Sequence, residues 1–259
     1  MRILVCVKRV PAPGAKINLT ADQRAVDTAF LGFTTSPHEE CAVEAALQLV
    51  EAHGGDATVL TLGPPEAEEQ LRYAASLGIA RCVLLPVDDE WDPQRTASAI
   101  TAAVRDLEAA DGTFDLVLFG NESADSGGFQ VGVRVAVALD RPMVNGAKAL
   151  TVDGDHAVVR RESDAGHEVY SLALPAIVGV KEGVNLPRYP TMKGRLASKK
   201  VAIDVLPPEA AAGGLAMVRL APPLADDRSV TILGHGADAA PAVVDLLDSL
   251  GLLDTPGSL

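Results

Sequence analysis

The residues best suited to chemistry lie in one run, Asn121-Glu122-Ser123-Ala124-Asp125-Ser126-Gly127-Gly128, bounded by Gly120 and by Phe129-Gln130-Val131. Asp and Ser offer oxygens to the first amides of a helix, and consecutive glycines let backbone N–H groups face outward. The run therefore suits a helix start, from Asp125 to Gly128, that receives a phosphate. The same residue types also build an ordinary capped turn, because Gly and Ser are frequent in any strand-to-helix loop. This stretch alone leaves both readings open. Asp115 to Phe119 is a short apolar run of the kind that forms a buried parallel strand, and Val131 to Leu139 is apolar and small enough to pack on a sheet. That puts the polar run at the C-terminal end of a strand, where open α/β sheets bind ligands.

Other chemistry-bearing side chains are sparser. Lys8 and Arg9 end an apolar β-rich run, Ile3 to Val7, and would face the same crevice or stand as solvated charges at a strand end. Ser36-Pro37-His38-Glu39-Glu40 reads as a helix start, with a capping Ser, Pro at the first helical position and acids in the first turn. His38 and Glu39 invite an acid–base or metal role, but no second ligand cluster accompanies them, so they read as helix-terminal charge. Cys6, Cys41 and Cys82 are widely spaced without a CxxC pair, which indicates buried thiols rather than disulfides or a zinc site.

The elements that position these residues alternate. After a long loop over residues 12–35, with at most a short hairpin, a helix runs from Pro37 to Ala52. Ala57 to Leu62 is a strand, Glu66 to Leu77 a helix closed by Gly78, Arg81 to Leu85 a strand, and Gln94 to Ala109 a helix opened by Asp92-Pro93. Strands alternating with helices of this length specify an open parallel sheet with helices on both faces, a Rossmann-like α/β fold of the HUP type. The pattern then changes to short alternating runs at Lys148 to Val152, Ala157 to Arg161 and Glu168 to Leu172, which read as an antiparallel hairpin insertion over 145–173. Leu174 to Val180 returns to the main sheet. A polar segment from Glu182 to Lys200 leads into a short basic helix, and from Val205 the chain is rich in Pro and Ala and ends in an apolar helix, Pro241 to Leu253. Two regions result: a nucleotide-binding α/β domain over 1–204, and a C-terminal arm and helix over 205–259 that needs a partner.

Bulk properties narrow the function. The 259 residues are 48% hydrophobic, enough for a real core, and only 3% aromatic, which disfavours base-stacking platforms. A formal charge of -13 argues against nucleic acid and against an anionic membrane surface. No stretch approaches the roughly 20 apolar residues of a membrane span, and no signal peptide is evident, so a cytoplasmic location without membrane insertion is expected. Ser126-Gly127-Gly128 invites comparison with the pyrophosphate loop of adenylating enzymes, but it follows the fourth strand, not the first. A stand-alone nucleotide-binding module of the universal-stress type would leave the hairpins, the Arg188-Tyr189 segment and the arm without purpose.

Several segments, in order, resemble the β subunit of electron transfer flavoproteins. They are Val7-Lys8-Arg9-Val10-Pro11, Ser36-Pro37 ahead of Glu40-Cys41-Ala42-Val43-Glu44, Leu77-Gly78-Ile79-Ala80-Arg81, the Gly120 to Gly132 loop, Arg161-Glu162 with Gly166 and Glu168, Leu174-Pro175-Ala176, and Asn185-Leu186-Pro187-Arg188-Tyr189-Pro190-Thr191-Met192 followed by Lys199-Lys200. The resemblance implies a heterodimer with an α subunit that holds most of a redox-active FAD, accepting electrons from flavin-containing dehydrogenases and passing them to an acceptor such as the respiratory chain. It implies AMP in the pocket of this chain, or a second FAD in bifurcating relatives. By the same carry-over Cys6 and Leu62 line the adenine with Ser36, Pro37, His38 and Glu39 beside them, the loop from Gly120 to Val131 borders the cofactor, and within it Asp125 to Val131 cradles the phosphate through Gln130 and the N–H groups of Gly127 and Gly128. Arg188, Tyr189, Thr191, Met192, Lys193 and Leu196 form the segment that docks on dehydrogenases. No acid, base or nucleophile is expected, the chemistry belonging to the cofactor. This chain departs from the family pattern at Ala12, Pro13, Ser36 and His38, and has Ser126-Gly127-Gly128 where carboxylates are frequent.

Overall fold

A computed structural model describes residues 1–209, 213–222 and 230–253. In chain order the strands are β1 (Arg2–Val7), β2 (Val10–Pro11), β3 (Phe33–Thr34), β4 (Asp56–Gly63), β5 (Arg81–Pro86), β6 (Leu116–Gly120), β7 (Met143–Asp153), β8 (His156–Ser163), β9 (Gly166–Ala173), β10 (Ala176–Val180) and β11 (Ile203–Val205). The helices are α1 (Pro37–His53), α2 (Glu68–Leu77), α3 (Pro93–Asp111), α4 (Gln130–Leu139), α5 (Met192–Ser198) and α6 (Ala240–Ser249).

Nine strands form one sheet in the order β11-β5-β4-β1-β6-β10-β7-β8-β9. It is parallel from β11 to β7, and β8 and β9 continue it antiparallel. The inner strands carry unbroken apolar runs because both faces are covered. In β1, Ile3 and Val5 pack among residues of α1 and α2, while Leu4 and Cys6 pack among residues of α3 and α4. Ile3, Leu4 and Val5 are fully buried, each contributing about 1.5–3 kcal/mol relative to exposure. Because β1 lies between β4 and β6, the chain leaves it to one side and later returns on the other. The crevice of an open α/β sheet opens at such a reversal.

The hairpin strands are continuous with the main sheet. β7 starts at Met143, pairs parallel with β10, and so joins the hairpins to the main sheet. Its early residues escaped the alternating pattern because the register shifts between Ala147 and Ala149, next to Gly146 at φ 77°. β11 was not foreseen either, three residues being too few for a period; it pairs with β5 at the sheet edge. Residues 12–35 are largely irregular, β2 and β3 closing them with two antiparallel pairs and Leu19 bridging Val26. Contacts divide the chain into Met1–Leu220 and Ala221–Leu259. In the second unit a single 3-10 turn, Gly236–Ala239, leads into α6, and part of the expected C-terminal segment lies outside the described residues. No helix among the described residues is long and apolar enough to cross a membrane.

Candidate functional site

The C-terminal ends of β1 and β6 meet the first turn of α1. Ser36 caps that helix: its Oγ accepts from the Glu39 N–H at 3.3 Å, and Glu39 Oε2 accepts from the Ser36 N–H at 3.1 Å. This reciprocal pair is the capping box that the spacing Ser-x-x-Glu encodes, with Pro37 at the first helical position. Glu39 does more than cap. Its Oε1 also accepts from the Lys8 N–H at 3.0 Å, tying the end of β1 to α1. The side chain is buried, and not the solvated helix-terminal charge the sequence reading expects. Burial raises its carboxyl to about 7, against the pull of the Ser36 and Lys8 N–H donors. Gly120 lies against it, since a Cβ there would stand 2.7 Å from Glu39 Cγ.

His38, on the same turn, is half-buried. Its Nδ1 accepts from the Glu182 N–H at 2.8 Å, so the ring proton sits on Nε2, 3.4 Å from Glu122 Oε1. The imidazole thereby joins the β6–α4 loop to the segment after β10. Cys6 and Leu62 belong to one apolar cluster. Burial pushes the Cys6 thiol far up, so it is inert as a nucleophile.

The loop from Asn121 to Gly128 is held from both ends. The Asn121 N–H donates to the Val180 carbonyl at 2.8 Å, and the Gly127 N–H to the Ser123 carbonyl at 2.9 Å. Ser123 Oγ lies 2.8 Å from Ser126 Oγ and accepts from the Gly128 N–H at 3.3 Å. Asp125 Oδ1 accepts from the Ser126 N–H at 2.8 Å, and Oδ2 lies 2.6 Å from Lys8 Nζ. Burial works against the Asp125 charge, but Lys8 and these hydrogen bonds outweigh it and keep the carboxyl below its usual range. Arg9, for which the sequence left both a crevice position and a solvated strand end open, stacks on Phe33, 3.3 Å from the ring centroid.

The helix start falls later than expected. Gly127, at φ 60°, interrupts any helical turn through Asp125 to Gly128, and α4 opens at Gln130 with Phe129 in the cap position. No side chain caps it, as none caps α2 or α6, whereas Ser36, Asp92 and Thr191 cap α1, α3 and α5. The first amides of α4 thus lack a side-chain acceptor, a state that suits an incoming anion. Ala124, Phe129 and Gln130 are exposed and Val131 is half-buried. Gln130 Oε1 accepts from Arg134 at 3.0 Å. Two open grooves lie elsewhere, beside α4 and β7; Val133 and Met143 line both, and Val137 lines one. Among the described residues no three His, Cys, Asp or Glu side chains gather to hold a metal ion.

The second expected site divides. Arg188 is anchored on α1: Nε lies 2.8 Å from Glu44 Oε2, Nη2 3.0 Å from Glu44 Oε1, and Nη1 2.6 Å from Glu51 Oε1. The Arg188 N–H also donates to Glu44, and Asn185 Nδ2 donates to the Cys41 carbonyl. Beyond this clamp Tyr189 is 90% and Met192 75% exposed. Lys193 and Leu196 are also exposed on α5, while Thr191 Oγ1 caps that helix by accepting from the Gly194 N–H.

The electron transfer flavoprotein domain family matches residues 27–211. The electron transfer flavoprotein subunit beta of Bacillus subtilis (strain 168) is 33% identical over 206 residues, covering 80% of this chain and 79% of its own. That of Syntrophomonas wolfei is 35% identical over 201 residues, covering 77% of each. That of Mycobacterium tuberculosis (strain H37Rv) is 34% identical over 209 residues, covering 79% and 78%. This chain belongs to the electron transfer flavoprotein β-subunit family. The resemblance read from its motifs is therefore correct. The family match contains the α1 start, the β6–α4 loop and the Arg188 to Lys200 segment; Cys6 and Lys8 lie before it.

Two of these features had sequence signals that went unused. Ser36 and Glu39 carry the capping-box spacing, and Glu44 and Glu51 stand two turns apart on one face of α1, ready to share a cation.

Proposed function

We propose that this chain is the β subunit of a heterodimeric electron transfer flavoprotein. It serves flavin-containing dehydrogenases through an FAD held mainly by an α subunit, and electrons leave to a downstream acceptor such as the respiratory chain. The observation that carries this reading is the family match over residues 27–211, which spans both the β6–α4 loop and the Arg188 segment. The bound FAD supplies the redox chemistry, and the residues of this chain bind, orient and exclude water without an acid, base or nucleophile.

AMP is the nucleotide proposed for the crevice at the ends of β1, β4 and β6. The uncapped amides of α4 fit a phosphate, with Gly127, Gly128 and Gln130 closest to them in sequence. Cys6 and Leu62 offer an apolar wall, and Ser36, Pro37, His38 and Glu39 form the edge beside it. Arg134, reaching back to Gln130, favours a second reading in which the diphosphate of another FAD takes this place, as one extra cation offsets one extra phosphate.

Tyr189, Thr191, Met192, Lys193 and Leu196, standing out from the Arg188 anchor, are proposed to meet the dehydrogenases. Residues 205–259, ending beyond the apolar α6, are proposed as the arm that embraces the α subunit, and the complex to work in the cytoplasm. The test is co-expression with a candidate α subunit, followed by denaturation and chromatographic assay of the released cofactors. One FAD and one AMP per heterodimer support the AMP reading, and two FAD without AMP support the second. Absence of both flavin and a stable complex overturns the proposal.

A further inference from the structure

Lys8 follows β1 directly and meets three other segments. Its N–H donates to Glu39 in α1 at 3.0 Å. Its ammonium lies 2.6 Å from Asp125 Oδ2, in the loop before α4, and 3.0 Å from Glu90 Oε1, in the loop between β5 and α3. We propose that Lys8 is a positioning residue for the nucleotide phosphate, acting through Asp125 to strap the Asn121–Gly128 loop across the end of β1 so that the amides opening α4 face the ligand. This rests on the nucleotide site proposed above.

Three geometric observations carry it, and the electrostatics agree. The Asp125 carboxylate is bifunctional, one oxygen on Lys8 and the other on the Ser126 N–H, so the ion pair is wired into the turn's backbone. The pair is partly sheltered: Asp125 as a residue is exposed, but the two side chains are 34% and 22% exposed, which sets it somewhat above a freely solvated surface pair. Burial opposes the Lys8 charge, yet Asp125 and Glu90 outweigh it and raise its pKa. Finally, the other bonds of residues 123–128 stay within the loop. At its tip, Asp125 is the described side chain that reaches a different element.

A lysine that met the phosphate itself would make an opposite prediction. Asp125 would then be a like charge opposing the anion, and its neutralisation would strengthen binding. Under the strap, neutralising Asp125 weakens binding although it removes a negative charge.

The experiment measures AMP and adenosine affinity by calorimetry on the co-expressed α–β complex after its nucleotide has been stripped. The wild type is compared with Lys8→Met, Asp125→Asn and the double variant. Each single variant is expected to lose about tenfold in AMP affinity, equivalent to about 1.4 kcal/mol, and less than about twofold for adenosine, which lacks the phosphate. The double variant should be no weaker than the singles, because both remove one interaction. The proposal is overturned by Asp125→Asn binding AMP as well as wild type or better, by additive losses, or by equal losses for AMP and adenosine. Should Lys8→Met fail to fold, Asp125→Asn alone decides by its sign. If the wild type retains FAD instead, the series is run with FAD against adenosine. A wild type that binds neither nucleotide overturns the functional reading and the strap with it, whereas loss confined to the pattern among variants overturns the strap alone.

Discussion

Replacing Gly120 by Ala perturbs the junction of β6 with α1 and nothing in the backbone, since Gly120 is not among the positive-φ glycines. The new Cβ would stand 2.7 Å from Glu39 Cγ, 3.3 Å from His38 Cβ and 3.4 Å from the Glu39 N. Carbon atoms pack at about 3.5–4.0 Å, so Glu39 must retreat by roughly 1 Å. Its carboxylate cannot follow freely, because the Lys8 and Ser36 N–H groups hold it at 3.0 and 3.1 Å. Overpacking a tight core costs about 1–3 kcal/mol, and leaving a buried N–H without its acceptor about 1–3 kcal/mol. The expected destabilisation is thus about 3–5 kcal/mol, which lowers the Tm of a chain this size by about 10 °C. Urea and thermal unfolding followed by circular dichroism would measure it. The decisive comparison is with Glu39→Ala, in whose background the added methyl has room and should cost under about 1 kcal/mol. A full penalty persisting there, or a single variant as stable as wild type, refutes the placement of Glu39 against Gly120.

Glu39 also gives a pH dependence. Its folded carboxyl, near 7, lies above the ordinary 4.5, so between these values the folded chain keeps a proton that the unfolded chain releases. For this group, stability is fully present below pH 4.5 and falls as pH rises to 7, by about 3 kcal/mol in all at about 1.4 kcal/mol per unit. Urea unfolding at pH 5 and 7.5 should show a shallower decline for Glu39→Gln than for wild type, and equal slopes would contradict the shift. Arg188→Met leaves Glu44, 3% exposed, buried without its cation. A loss of about 2–4 kcal/mol is expected, partly restored by adding Glu44→Gln; no recovery in the double variant would mean that Arg188 stabilises by packing instead.

Much of this molecule was legible from its residues, and the gaps have physical causes. β1, β4, β5 and β6 announce themselves because strands buried on both faces carry continuous apolar runs, and α1 and α3 because Ser36-Pro37 and Asp92-Pro93 mark their starts. β7 was read short, because a register shift disrupts the alternation that identifies a half-buried strand. The start of α4 was misplaced because Asp125 and Ser126 are good caps in general, and only the tertiary fold reveals that Asp125 is committed to Lys8. Glu39 was judged by its type, and acids at a helix start are usually solvated. Its burial follows from the convergence of β1, β6 and α1, which no local window contains. The same holds for Arg188, whose partners lie 144 and 137 residues away.

A sheet of nine strands has two ends, and here they differ in their exposure to self-association. At one end β11 is three residues long and runs into Leu206-Pro207-Pro208, whose prolines have no N–H to offer another chain. At the other, β9 presents eight residues whose outer edge pairs with no described strand, with Val169 66% exposed among them. Template-driven stacking of one copy on another would therefore begin at Gly166–Ala173. Glu168 and His167 are the charged and polar gatekeepers on that edge, so neutral substitutions there would be felt as lost solubility before any loss of fold.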